Sequence, residues 1–588
     1  DVRDWLRVSI TGGRSDDARL RLKGDLKDFP FADGKNGIFQ VSAKFAGANL
    51  RYAPDWPGID NIAGDLLFEG KRMRISASRG SIYGVTVSKV SAEIHDLEAP
   101  EEIISIAGRA AGPTADFLHF IETSPVSGQI DRFTEGMRAT GSGTLALKLT
   151  IPLRKVANTL IEGDYQFLRN ELVVDADLPP LAEVNGRLQF TGGSVRMKDA
   201  RAQLLGSPLV INAATRGDGA VDINAQGSLT IANVRKTIDH RLLEHLSGST
   251  DWRGTVLVKN RNADVKLESS LQGIASSLPE PFNKISTETM PFKFERSAVT
   301  STGAPHPKGT SYGARDQVRI GLGKSLNAHF LRRHEKDRTV MERGAIGIGI
   351  ADTPPLPEKG VLLAANVPTF NVDFWRNLLA ANGGGSHPVT QLSLRTGELT
   401  AFDRQFKDVN LRTTLQDGTW QAQVTSSEVT GEFTWKADER GRLRARLKQL
   451  TLGETRPGKS LIAEEPLREL PGLDIVAENF TLRGHKLGKL ELLATNEDNA
   501  WKMEKLAIAN PDGALSSDGV WRSGGTQLNF KLDVSDTGKM LERLGYVDAV
   551  RRGTAKLEGK VSWAGAPTQI DHATLDGTLT AEAARGQF

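Results

Sequence analysis

Few residues of this chain stand in patterns that could do chemistry. Gly321-Leu322-Gly323-Lys324-Ser325 has the ending of a phosphate-binding loop, in which backbone N–H groups and a lysine cradle phosphate oxygens. The first glycine of that motif belongs at position 318, which is Val318, so the loop is incomplete. Gly344-Ala345-Ile346-Gly347-Ile348-Gly349 lacks the spacing of a dinucleotide fingerprint and alternates as a strand does. Gly309-Thr310-Ser311-Tyr312-Gly313 spells a nucleophile elbow, but Pro305 and Pro307 stand where its strand should run, and it reads as a turn. His240 and His245 are five apart and miss the i, i+4 spacing that brings two imidazoles to one zinc. His329 and His334 fall beside or within the charged run 332–338, read as a solvated loop. None of the 72 Asp and Glu is singled out as half of an acid–base pair. With no Cys, disulfides, thiolate catalysis and Cys-bound metals are excluded. The expectation is a protein that is not an enzyme, with no catalytic residue, metal or cofactor.

The elements that would have to position any site therefore carry the information. The chain has 588 residues, several times a usual domain. Its 75 Lys and Arg nearly cancel the 72 acids, leaving +3, so there is no basic face for nucleic acid. Hydrophobic residues at 39% with 25% charged fit a folded chain, and 60 Gly point to many turns. The longest apolar stretch, Val361 to Val367, is far short of the roughly 18–20 residues that cross a bilayer. Asp1 is not Met and Phe588 follows a strand-like run, so a piece of a longer protein is expected, with any anchor outside it.

Periodicity of two runs through almost the whole sequence. Leu66 and Phe68, then Met73, Ile75 and Ala77, then Val85 and Val87, then Ala92 and Ile94 alternate with Asp65, Glu69, Arg72, Arg74, Ser91 and Glu93. Such strands have one greasy and one wet face. Gly70, Gly80 and Gly84 punctuate them. Parallel strands buried on both faces would read as continuous apolar blocks, so mostly antiparallel pairing is expected. Short amphipathic helices are expected at 116–121, 237–246, 372–381 and 537–544, each seated on a sheet.

The sequence also repeats. At an offset of 122, Phe45 meets Phe167, Leu50 meets Leu172, Pro57 meets Pro179, and the stretch 64–68 meets 186–190. An even, ungapped offset keeps inward and outward faces in step. A looser third copy is read through Leu271 to Phe294. Farther on, Phe406, Val409, Leu411 and Trp420 match Leu487, Leu490, Leu492 and Trp501 at an offset of 81, and the repeated Trp are expected to pack. The expected organisation is 1–38 as the end of a preceding β unit, 39–160 and 161–254 as two repeats each with a short helix, and 255–370 as a divergent third. A helix-plus-β unit follows at 371–470, then a last β unit with a short helix at 471–588.

Roughly 35–45 strands are expected. Two to four apolar residues on one side of each make about 100 side chains, each worth about 1.5–3 kcal/mol when taken out of water. A few short helices cannot cover that face. The fold class expected is mainly β: an elongated, curled antiparallel sheet of repeated units forming an open hydrophobic groove. Acyl chains suit such a groove, since filling it needs apolar contact and no directed hydrogen bonds.

Tyr52-x-Pro54-x-Trp56-Pro57, Leu271-x-Gly273-Ile274-x-Ser276-x-Leu278-Pro279-x-Pro281-x-x-Lys284, Pro355-Leu356-Pro357-x-x-Gly360 before Asp373-x-Trp375, and Asp536-x-Gly538 through Ser562-Trp563-x-Gly565-x-Pro567 occur in order along nearly the whole chain. In these motifs the sequence resembles the large AsmA-like, YhdP-type proteins of Gram-negative bacteria. The resemblance implies a periplasmic protein anchored in the inner membrane that conducts phospholipid towards the outer membrane along a hydrophobic β-groove. It offers no catalytic residues. The residues with consistent parity, expected to line the groove, are Leu66, Phe68, Ile75, Leu188, Phe190, Met197, Phe292 and Phe294. For each, the alternative is packing beneath a helix without lipid contact. The competing reading for the whole is an elongated structural or adhesive β scaffold with a dry core.

Overall fold

The structure is a computed structural model, and it describes residues 2–32, 34–130, 132–175, 177–259, 262–299, 315–335, 338–380, 389–401, 404–436, 441–453, 471–497, 500–567 and 570–587. Contacts divide the chain into two units. The first comprises Asp1–Ser276 and Lys284–Pro305, the second Ser277–Asn283 and His306–Phe588. The 309–313 elbow lies outside the described residues.

The first unit holds β1 (Ile10–Gly24), β2 (Gly37–Leu50), β3 (Ile59–Glu69), β4 (Arg72–Ile82), β5 (Val85–Ile94), β6 (Ile103–Pro113), β7 (Arg138–Pro152) and β8 (Leu160–Val173). It continues with β9 (Leu181–Thr191), β10 (Val195–Leu204), β11 (Ser207–Thr215), β12 (Val221–Thr230), β13 (Leu246–Lys259), β14 (Asn262–Ser269), β15 (Ile274–Ser276) and β16 (Phe292–Ala298). Each of β1 to β13 pairs antiparallel with the next, β15 pairs with β13, and β16 pairs with β14. The helices α1 (Val2–Ser9), α2 (Thr114–Glu122), α3 (Val126–Gln129) and α4 (Ile231–Thr237) complete the unit.

The repeat is built into the backbone. Strand β3 at 59–69 becomes β9 at 181–191, both ends shifted by 122, and β2 and β8 differ by one residue from the same relation. The irregularities repeat as well. The ladder slips between Phe45 and Ala48 in β2, and between Phe167 and Asn170 in β8 (167 − 45 = 170 − 48 = 122). Gly47 and Arg169, Asn61 and Glu183, and Tyr83 and Leu205 are all left-handed, each pair at that offset. Residues left over at such bulges find a local acceptor: the Asn49 side chain takes the Asn61 N–H at 3.1 Å, and Asn185 takes that of Arg169 at 3.0 Å.

The stretch read as a looser third copy takes its own path at its start. After β14 the chain folds back through Leu271–Lys284, the most specific of the sequence motifs. Lys284 Nζ donates to the carbonyls of Leu271 (2.8 Å), Ile274 (2.6 Å) and Ile285 (3.2 Å) and is 7% exposed. Burial pushes its ammonium below the usual lysine value.

The second unit holds β17 (Arg315–Leu322), β18 (Leu326–His334), β19 (Thr339–Ile348), β20 (Gly360–Asn371), β21 (Val389–Ala401), β22 (Arg404–Gln416), β23 (Thr419–Thr425) and β24 (Val429–Lys436). Then come β25 (Arg442–Leu452), β26 (Gly472–Leu482), β27 (His485–Glu497), β28 (Ala500–Asn510), β29 (Gly513–Arg522), β30 (Gly525–Val534), β31 (Thr554–Trp563) and β32 (Asp576–Ala584). Its helices are α5 (Val372–Ala380) and α6 (Thr537–Arg543). The offset of 81 carries β22 at 404–416 onto β27 at 485–497.

The pairing is mostly antiparallel, as the alternation implies, with three parallel pairs, β19–β20, β20–β21 and β25–β26. The apolar block Val361-Leu362-Leu363-Ala364-Ala365 is the core of β20, flanked by parallel neighbours on both edges, and its continuity was the sign of it. One expectation is corrected: 237–246 is not a helix. The helix is α4, directly after β12 with Ile231 and Val234 buried, and a 3-10 turn follows at Arg241–His245. The other three expected helices are α2, α5 and α6. Among the described residues there are thirty-two strands, fewer than expected because many run ten to fifteen residues.

Strand alternation places the helices. The start of β1 and the ends of β6 and β12 share one rim of the first unit, which is where α1, α2 and α4 sit. In the second unit β20 and β30 run the same way, so α5 and α6 also follow one rim.

Candidate functional site

Residues directly opposed in a ladder project to the same side of the sheet. In the first unit this carries one apolar face across the strands from β2 through β14 to β16. Val41 and Ala43 face Phe68 and Leu66, which face Met73 and Ile75, then Ile94 and Ala92, then Ile104 and Ile106. Ile151 and Leu149 follow on β7, and Leu145 of the same face opposes Tyr165. Tyr165 faces Leu188, Leu188 faces Met197, and Met197 faces Ala213. Ile223, Val256 and Val265 continue it, and Leu267 opposes Phe294 while Ser269 opposes Phe292. All eight candidate lining residues lie on this face and all are half-buried. The Phe190 ring lies flat over the backbone of Gly163 on the next strand, where a Cβ would meet it at 2.0 Å.

The opposite face is charged. Arg187 pairs with Asp164 at 2.6 Å, Arg253 with Glu268 at 2.7 Å, and Lys148 with Glu162 at 3.7 Å, all across neighbouring strands. Such exposed pairs add little stability but keep that side wet.

Part of the apolar face is sealed by protein. Val184, Ala202 and Leu209 are buried together, with Phe167, Leu172, Ile211 and Trp252 packed around them. At the helix rim, Tyr165 meets Phe117 of α2 edge-on at 5.1 Å. Its hydroxyl donates to Thr114 Oγ1 (2.9 Å), which donates to Asn170 Oδ1 (2.8 Å), and Asn170 is fully buried. Trp56 of the β2–β3 loop packs on Phe120 of α2 at 6.1 Å and on Tyr52 at 6.0 Å, and burial pushes the Tyr52 phenol up to about 12.

The second unit repeats the arrangement. Val318, Phe330, Gly344 and Val361 begin its apolar face, and Ala365, Leu394, Leu411 and Val424 extend it. Trp420 opposes Trp435, and Trp501 opposes Trp521. Of these repeated Trp, Trp501 and Trp521 are buried and Trp420 and Trp435 half-buried.

The chemistry-like motifs resolve into architecture. Residues 321–325 form the β17–β18 turn, with Ser325 Oγ donating to the Pro281 carbonyl at 2.5 Å, and 344–348 lie in β19. His240 caps a 3-10 turn by accepting from the Leu242 N–H. His334 is not in a solvated loop. It ends β18 and meets Asp316 at 3.1 Å, while Arg332 donates to both Asp316 oxygens at 2.9 and 2.7 Å. No group of three or more His, Cys, Asp or Glu among the described residues is placed to hold a metal ion.

Asp316 makes an acid-sensitive lock on this face. Burial raises its carboxyl, but His334 and Arg332 outweigh that and hold it at about 2. A folded value below the unfolded one stabilises above about pH 4 and is lost as pH falls from there towards 2. Unfolding followed by denaturant at pH 5 and pH 2.5 should therefore lose about 1–2 kcal/mol through this residue. Asp316→Asn should abolish that share of the acid dependence, and an unchanged pH profile in the variant would count against the assignment.

A sheet oily along one face and charged along the other, with its chemistry-like motifs spent on turns and caps, defines a mainly β protein built of two-faced strands. Comparison places it more closely. The chain belongs to the YhdP family, matching the family described as "YhdP protein" over residues 1–588. A relative, the intermembrane phospholipid transporter YhdP of Escherichia coli (strain K12), is 23% identical over 619 residues, which cover 100% of this chain and 47% of the relative. The chain thus spans about half the length of that relative. No solved structure matches it. Among the described residues, no helix is long and apolar enough to cross a membrane.

Proposed function

We propose that the chain is a non-enzymatic lipid conduit whose apolar face carries phospholipid acyl chains between two membranes. The observation that carries the reading is the unbroken apolar face from β2 to β16, with residues such as Leu66, Phe68 and Ile75 left half-buried. A dry scaffold would seal such side chains, since each fully buried one contributes about 1.5–3 kcal/mol. The name of the E. coli relative supports phospholipid as the cargo. In this reading Leu66, Phe68, Ile75, Leu188, Phe190, Met197, Phe292 and Phe294 line the path. The protein works in the periplasm, held to the inner membrane by an anchor beyond these residues and delivering towards the outer membrane.

Photo-crosslinking in cells tests it. A benzophenone side chain at Phe68 should capture phospholipid identifiable by mass spectrometry. The same probe at Arg74, on the charged face beside Glu93, should capture at least ~10-fold less, because acyl chains gain nothing from a hydrated surface. Equal capture at both positions, or none at Phe68, would favour the dry scaffold.

A further inference from the structure

One contact in the first unit spans far more sheet than its length allows if the sheet were flat. Arg296 Nη2 meets Asp175 Oδ2 at 2.6 Å, and Arg296 Nη1 lies 3.7 Å from Asp177 Oδ2. Arg296 is on β16, while Asp175 and Asp177 follow the end of β8. Between them run seven ladder steps, β8–β9, β9–β10, β10–β11, β11–β12, β12–β13, β13–β14 and β14–β16. At about 4.8 Å each they amount to about 34 Å on a flat sheet. The stretch from β8 to β16 is therefore rolled until the segment after β8 meets β16. The ladder also says on which side. Arg296 opposes Val265 and shares the parity of Phe292 and Phe294, so it belongs to the apolar face. Its side chain is only 10% exposed, and both carboxylates lie against its guanidinium.

We propose that the Asp175–Arg296–Asp177 bridge is a strap that closes the rolled stretch over the apolar face and must release for a phospholipid to pass. The inference rests on the conduit reading. Acyl chains can lie beneath the bridge on Phe292 and Phe294, but a headgroup has to leave the oily face on its open side, which the bridge occupies. An ion pair suits a releasable closure. Its partners regain hydration when they separate, so opening costs far less than pulling apart an apolar seam of the same reach.

The chain has no Cys, so an introduced pair is unique within it. In the full-length protein in cells, Asp175→Cys with Arg296→Cys is bridged by a short bis-maleimide, and a photo-probe at Phe68 or Phe292 reports lipid. Bridged protein should lose at least ~10-fold of its capture at Phe292 relative to the same variant left unbridged, with capture at Phe68 unchanged. A second variant guards against misfolding: Asp175→Asn with Asp177→Asn keeps Arg296 and should raise capture at Phe292. Equal capture at Phe292 in bridged and unbridged protein would overturn the strap. Absence of lipid at Phe68 in the unmodified protein would instead overturn the conduit itself.

Discussion

Phe190→Asp is expected to slow lipid passage about 10- to 100-fold, while Phe190→Ala changes it by less than about threefold. The Phe190 ring covers the backbone of Gly163 and has Leu188 and Val195 beside it on the same face. Alanine removes some apolar contact from a surface that has many other contacts to offer along its length. Aspartate places a carboxylate where, in the proposed function, a hydrocarbon chain passes. Holding a polar group dry costs about 1–3 kcal/mol on mutational scales, and each 1.4 kcal/mol of added barrier slows a step about tenfold. Phospholipid arrival at the outer membrane, followed by pulse labelling in cells that depend on the variant, is the measurement. Equal rates for the two variants would remove Phe190 from the path.

Lys284→Met is expected to lower the stability of the first unit by about 3 kcal/mol. Methionine keeps the apolar stem but removes the ammonium, leaving the carbonyls of Leu271, Ile274 and Ile285 without that donor. A hydrogen bond from a charged group contributes about 1.5–3 kcal/mol, and the loss is softened where water reaches a carbonyl. The denaturant midpoint of the first transition should fall with its slope unchanged, and limited proteolysis should open the 271–290 region first. An unchanged midpoint would mean that the fold-back holds without its lysine.

Much of this architecture was legible in the residues because strand parity is a local code. Leu66, Phe68, Met73 and Ile75 announce their common side by spacing alone, and the offset of 122 announces the copied set. Helix α5 is equally plain from Phe374, Trp375 and Leu378 along one stripe. What escaped is what spacing does not encode. The stripe Ile238, Leu242, Leu243 and Leu246 resembles a helix, yet Thr237 already ends one, and the chain there turns back into β13. The parallel pairs leave one trace, the continuous apolar run at 361–367. Asp316 with Arg332, and Asp175 with Arg296, join residues 16 and 121 positions apart, and nothing near any of them marks a partner.

The bulges bear on history. Had two five-strand sets come to resemble each other because both had to be oily on one side, they would agree in hydropathy and differ in their flaws. Here several flaws agree, a slipped rung at Phe45 and at Phe167, and an awkward backbone at Asn61 and at Glu183, and at Tyr83 and at Leu205, while those at Lys89 and Asp199 belong to one set each. Defects held in common at a constant interval are the signature of an ancestor that already carried them. Duplication of a finished and already crooked segment would leave such a trace over that stretch.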